Sequence, residues 1–155
     1  MAGATFDHVA LLVRNLDEAI EDYRKILAVL DSKQLIDIVR DEAMVDGARV
    51  RWATFLKGEG GAALQLIESE LPRDRELLAR RGECVHHISF CSSNVEETGA
   101  ELSDKGIPVM YKVPPHSPDR PWLRWNFVAP ANAHGVLIEI SQRYKVVNGK
   151  WVEAE

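Results

Sequence analysis

Four polar side chains interrupt apolar runs of strand character. They are His8 ahead of Val9-Ala10-Leu11-Leu12-Val13, Gln65 within Leu64-Gln65-Leu66, His87 ahead of Ile88-Ser89-Phe90, and Glu139 within Val136-Leu137-Ile138-Glu139-Ile140. Singly they say little: a strand histidine is ordinarily a hydrogen-bonded core or edge residue, and a glutamate in an alternating strand can simply face water. As a set they define a chemistry. Burying a carboxylate on a strand costs several kcal/mol unless a cation or strong donors compensate it. Two imidazoles, an amide oxygen and a carboxylate compensate one another through a divalent ion. This mixed nitrogen and oxygen set suits Co²⁺, Ni²⁺, Zn²⁺, Mn²⁺ or Fe²⁺ with positions left for water or substrate. No thiolate belongs to the set, which disfavours a closed structural zinc site. Cys84 and Cys91, seven residues apart, match no metal or redox motif.

The elements that must position these residues come as an internal duplication. Asp7 to Glu18 aligns without a gap on His86 to Glu97 at a constant offset of 79 residues, placing His8 on His87, Asn15 on Asn94, and Asp17-Glu18 on Glu96-Glu97. Each copy opens with a β-rich run and passes into a helical pattern. In the first copy Leu16, Ile20, Tyr23 and Leu27 form one helix face. Asn15 or Asp17 can cap that helix, and acidic residues suit its first turn. In the second copy Val95, Leu102 and the stop Lys105-Gly106 mark a helix of similar length. Strands follow each helix. They are expected over 33–40, 48–56 and 62–68 in the first half, the last two joined by the turn Gly58-Glu59-Gly60-Gly61, and over 108–112, 123–129 and 136–141 in the second. The fold class is therefore α+β, one domain over 1–155. Module 1 spans about 5–68, a linker with a short exposed helix 69–84, module 2 about 85–142, and a tail 143–155 whose 146–152 segment forms a small hairpin.

Composition sets the outer bounds. The 155 residues carry 19 basic and 24 acidic side chains, a net charge of −5, with 46% hydrophobic and 28% charged residues. That is ordinary for a globular protein. Without a dense Lys/Arg stripe, nucleic acid is not an expected partner. No apolar run approaches the length of about 20 residues that spans a bilayer, so no membrane partner is expected either. The start of the chain lacks the basic region of a signal peptide, and a reducing, cytoplasmic setting is the expectation.

Paired strand–helix–three-strand modules with His, Gln, His and Glu on these strands resemble the vicinal oxygen chelate superfamily, and within it the methylmalonyl-CoA epimerases. Asp7-His8-Val9-Ala10 resembles that family's opening motif, His86-His87-Ile88 its second histidine motif, and Gly135-Val136-Leu137-Ile138-Glu139-Ile140 its final metal strand. Arg124-Trp125-Asn126-Phe127, followed by Pro130, is similar to its Arg-x-Asn-Phe segment. The resemblance covers about residues 5–142. It implies two βαβββ modules forming an open, cup-like barrel, with His8, Gln65, His87 and Glu139 as ligands of a divalent metal. His87 is the ligand of the doublet because it aligns with His8, and His86 then points to the opposite face. The implied activity is isomerisation or epimerisation of a small acyl-CoA or oxoacid: the metal would stabilise an enolate by Lewis-acid polarisation, and Glu139 would move the proton. A glyoxalase-I-like lyase, a ring-cleaving dioxygenase and a non-catalytic binding protein of the resistance type are the alternatives. A homodimer is the expected assembly.

The resemblance breaks at one position. The epimerases use two glutamates on opposite faces of the acidic carbon, one being the ligand represented by Glu139. The second should lie in the strand that here reads Gly47-Ala48-Arg49-Val50-Arg51-Trp52-Ala53-Thr54, and no carboxylate occurs between Ala48 and Lys57. Arg49 or Arg51 stands near its place, where a cation would attract a substrate carboxylate or phosphate. Arg124, Asn126, Trp122 and His116 are further candidate substrate contacts. The last of these sits in the Pro-stiffened loop 113–121, a candidate lid.

Overall fold

The computed structural model describes residues 3–56 and 63–154. Nine strands, three α-helices and two 3₁₀ turns follow one another among them. The chain divides into two compact units. One, called N-terminal here, holds His8–His86 and Val146–Trp151; the other, C-terminal, holds His87–Lys145 with Met1–Asp7 and Val152–Glu155.

In the N-terminal unit the strand order is β2-β3-β4-β1, from β1 (Ala4–Leu12), β2 (Asp37–Val45), β3 (Ala48–Leu56) and β4 (Ala63–Ser69). Helix α1 (Leu16–Leu30) covers one face. Its expected stripe, Leu16, Ile20 and Leu27, is buried with Val13, Ala53, Phe55 and Leu66, and Tyr23 packs against that cluster. Asn15 caps the helix by accepting the Glu18 N–H at 3.1 Å. The strand expected over 33–40 is displaced: Ser32–Leu35 is a 3₁₀ turn and β2 starts at Asp37 and runs on to Val45. The two-residue turn Asp46-Gly47, both at positive φ (49° and 77°), decides this. Such a turn matches strand twist and pairs residues out to Val45↔Ala48. The turn expected at Gly58–Gly61 lies outside the described residues.

Within the C-terminal unit the order is β5-β7-β6, from β5 (Cys84–Ser92), β6 (Trp125–Val128) and β7 (Ile138–Gln142). The opening residues of β1 belong to this unit, and there Phe6 meets Phe90 edge-on at 5.5 Å. Helix α3 (Val95–Asp104) repeats the α1 cap, with Asn94 accepting the Glu97 N–H at 3.1 Å. The strand expected over 108–112 is absent, so this half has one strand fewer than its counterpart. The Met110 N–H makes a single main-chain bond to the Phe127 carbonyl at 2.8 Å, and Pro108, which opens the expected run, has no N–H to give a ladder. The buried Asn126 side chain substitutes for it, accepting the Tyr111 N–H and donating to the Tyr111 carbonyl at 3.1 and 2.9 Å. The tail forms β8 (Tyr144–Val147) and β9 (Lys150–Glu153), the hairpin expected there, around Asn148-Gly149 at positive φ.

The linker folds as helix α2 (Pro72–Arg81), with Pro72 in its first turn. Asp74 of that helix is 4% exposed, accepts from Ser69 Oγ at 2.6 Å and lies 2.8 Å from His86 Nε2. Burial works to raise its pKa, but the bonds from His86 and Ser69 outweigh that and hold the carboxyl below its ordinary value. Removing one partner of a buried pair strands the other. Asp74→Ala is therefore expected to lower stability by on the order of 3 kcal/mol, read from urea unfolding at neutral pH. Because the folded pKa is depressed, this contribution is complete above the unfolded value of about 3.8 and is lost as pH falls through the folded one. An Asp74→Ala variant as stable as wild type at pH 7 would remove the pair as a clamp on α2.

Candidate metal centre

Strand pairing sorts the candidate ligands onto faces. In the N-terminal unit β1 and β4 are parallel, with His8 opposite Ala63 and Ala10 opposite Gln65. Paired residues share a face of the sheet, so His8, Ala10 and Leu12 lie on the Gln65 face, turned away from α1. His8 is 1% and Gln65 5% exposed. Thr54, the β3 partner of Gln65, is fully buried and accepts from Gln65 Nε2 at 3.1 Å. That bond commits the amide nitrogen and leaves the carbonyl oxygen as the end that could bind an ion.

The C-terminal unit repeats the arrangement. Strands β5 and β7 are parallel, with Ser89 opposite Glu139. His87, Ser89 and Cys91 therefore share the face of Glu139 and Ser141. Ser89 Oγ donates to Glu139 Oε1 at 2.9 Å, and His87 Nε2 lies 3.7 Å from the same oxygen. His87 is 5% exposed and the Glu139 side chain 19%. The register is identical in the two units: the residue two past each histidine is the Cα partner of the second polar candidate, Gln65 or Glu139.

These residues fit a divalent ion. A 3.7 Å separation is too long for a hydrogen bond. It lies within the spread of two donors each bonded at about 2.0–2.2 Å to one ion. A buried imidazole beside a largely buried carboxylate is also the donor chemistry such an ion selects.

The other sequence candidates stand elsewhere, and strand alternation is the reason. Arg49 and Arg51 share the α1-side face of β3 with Ala53 and Phe55. There Arg49 pairs with Glu42, and Arg51 with Glu68 at 3.4 Å and Asp17 at 3.9 Å. The Gln65 face of β3 carries Val50, Trp52 and Thr54, and the carboxylates on that face are one strand out, Asp37 and Asp41 of β2. Arg124 is exposed and bonds Glu96 at 2.7 Å. Asn126 is the tie to Tyr111, opposite Ile140 and so on the face away from Glu139. It lines a cavity of about 490 Å³ beside α3, with Glu96, Gly99, Ser103 and Lys112. Trp122 is half-buried in the loop and His116 is exposed. That loop is pinned to β6 by main-chain bonds, Ser117 N–H to the Leu123 carbonyl at 2.9 Å and Trp125 N–H to the Pro115 carbonyl at 3.2 Å. Trp125, which flanks Arg124 in the sequence as a candidate aromatic wall, does occupy the Glu139 face, and with it stand two residues that sequence patterns did not single out, Ser89 and Phe127. Only pairing register could have found them.

Further along β5 and β7, Cys91 Sγ lies 3.8 Å from Ser141 Oγ, and the Tyr144 hydroxyl donates to Asp7 at 3.2 Å. Burial, reinforced by the Asp7 charge, pushes both the Cys91 thiol and the Tyr144 phenol well above their ordinary pKa values.

The chain matches the family model of the Glyoxalase/Bleomycin resistance protein/Dioxygenase superfamily over residues 7–122, and it belongs to that superfamily. Its α+β fold is the glyoxalase-like fold of that group. Similar solved structures include a methylmalonyl-CoA epimerase from Mycobacterium tuberculosis, 25% identical with a TM-score of 0.71 over 90% of this chain and 88% of that one. A Streptomyces coelicolor methylmalonyl-CoA epimerase variant in complex with 2-nitronate-propionyl-CoA is 28% identical, with a TM-score of 0.67 over 92% and 96% of the two chains. The uncharacterized protein YqjC of Bacillus subtilis is 25% identical over 139 residues, 88% of this chain and 90% of its own. Among the described residues no helix is long and apolar enough to cross a membrane.

A thiol is reactive as its thiolate, which a raised pKa suppresses. Cys91, 5% exposed, is expected to resist a maleimide in the folded protein at pH 7.5 and to react fully in denaturant. Peptide mapping after labelling distinguishes it from the half-buried Cys84. Rapid native labelling of Cys91 would show that this end of the face opens to solvent.

Proposed function

We propose that the protein is a divalent-metal-dependent enzyme that moves the proton on the carbon beside a carbonyl in a small acyl-CoA thioester or oxoacid. The observation that carries this reading is the doubled register, an imidazole followed by a Cα-paired oxygen donor on one face, once in each unit. In this reading His8, Gln65, His87 and Glu139 hold the ion. The likeness to epimerases solved with methylmalonyl-CoA or a related CoA ligand supports the substrate class.

When bound, the ion supplies Lewis-acid polarisation to neighbouring oxygens of the substrate. The chain's own residues supply the rest. Glu139, the carboxylate of the set, takes the proton from the acidic carbon. Ser89 holds one of its oxygens in place. Returning the proton to the face it left would leave the substrate unchanged, so the net reaction in this reading is isomerisation or epimerisation, which needs a second group to deliver a proton on the opposite face. The strand Ala48–Leu56 holds no carboxylate for that second role. The 155 residues act as one domain, and the assembly is a homodimer, which light scattering checks by the mass of the purified protein.

Two measurements test this. Metal analysis is expected to find near-stoichiometric divalent ion in the wild type, as purified or after addition, and its loss in a folded His87→Ala, Glu139→Ala variant. Equal metal in both would overturn the ligand set. With a methylmalonyl-CoA-type thioester in D₂O, NMR is expected to show deuterium entering at the acidic carbon faster than the epimer accumulates. Glu139→Gln should slow that exchange by roughly a hundredfold or more. Absence of exchange, or exchange that Glu139→Gln leaves unchanged, would overturn the proton-transfer reading.

A further inference from the structure

Each polar oxygen ligand is gripped by one fully buried hydroxyl, but from opposite sides. Gln65 is held by Thr54, its antiparallel partner on β3, whereas Glu139 is held by Ser89, its parallel partner on β5. The duplication makes this an exchange of positions. Ser89 occupies the place of Ala10, which has no hydroxyl, and Phe127, the antiparallel partner of Glu139, occupies the place of Thr54. Both hydroxyls are 0% exposed. A buried hydroxyl with no partner costs about 1–3 kcal/mol, so neither residue is an indifferent filler. The two contacts also have complementary chemistry. Thr54 accepts from the amide nitrogen and so leaves the Gln65 oxygen uncommitted to that bond, while Ser89 donates to Glu139 Oε1, the oxygen that lies 3.7 Å from His87 Nε2, and so holds the carboxylate in that orientation.

We infer that Thr54 and Ser89 are positioning residues that fix Gln65 as an oxygen donor and hold the Glu139 carboxylate in its ligating orientation, an inference resting on the metal reading above. Neither touches the ion. Each sets the orientation of a side chain that does, and losing such a partner ordinarily weakens metal binding by roughly 10–100-fold.

The test is Co²⁺ binding to the full chain, stripped of metal with chelator, followed by calorimetry and by the visible ligand-field spectrum. Ser89→Ala and Thr54→Val are each expected to weaken Co²⁺ binding by roughly tenfold or more and to change the spectrum, while thermal unfolding stays cooperative. Ser89→Thr and Thr54→Ser restore the hydroxyl and are expected to recover affinity and spectrum. His87→Ala, Glu139→Ala is the reference for a destroyed centre. If it loses Co²⁺ while Ser89→Ala and Thr54→Val bind as the wild type does, the positioning role falls and the metal reading stands. If it binds as tightly as wild type, both fall together. Weakened binding that the hydroxyl-restoring variants fail to recover would assign the effect to packing and overturn the inference.

Discussion

A carboxylate seated on a mid-sheet strand is the constraint around which the C-terminal unit is arranged. Glu139 is about four-fifths buried, and an uncompensated charge in such a place would be intolerable. Three groups answer it: the Ser89 hydroxyl, the His87 imidazole and, in the proposed holo form, an ion. The first two come from alternate positions of one strand, so a single register error between β5 and β7 would remove both at once. The parallel pairing of those strands is thus a condition of the buried polar cluster as well as of the core.

The N-terminal unit solves a milder version of the same problem. Gln65 carries no charge, and one hydroxyl with a buried neighbouring imidazole on the same face suffices. Its other face carries α1 and the apolar cluster from Val13 to Leu66, with the ion pairs of Arg49 and Arg51 at one end. Division of labour between the two faces of each sheet is what permits buried polar groups at all: one face contributes apolar burial, worth about 1.5–3 kcal/mol for each large side chain, and the other spends part of that on chemistry.

Much of this was legible in the chain. The offset that lays His8 on His87 also lays Asn15 on Asn94, and both asparagines cap helices with the same geometry. Capping and helical periodicity are local, which is why they read directly. The strand expected over 108–112 failed for a local and a non-local reason together: Pro108 removes one N–H, and the Asn126 side chain, 15 residues away from Tyr111, answers that segment's backbone. Arg49 and Arg51 look from the sequence like cations awaiting a substrate. Their partners Glu42, Asp17 and Glu68 come from three other elements, and only folding brings those acids to the same face.

By itself, the sequence determined the α+β class, the duplicated strand–helix unit and the identity of the polar residues set into apolar strands. Each of these depends on residue type and short-range period. Tertiary structure alone decided which hydroxyl holds which ligand, which face each arginine takes, and that Asn126 ties a loop instead of lining the Glu139 face. The reason is pairing register: Ser89 and Glu139 are 50 residues apart in the chain, and nothing local to either one specifies that they meet. A shift of one residue would have exchanged every inward and outward side chain on the strand.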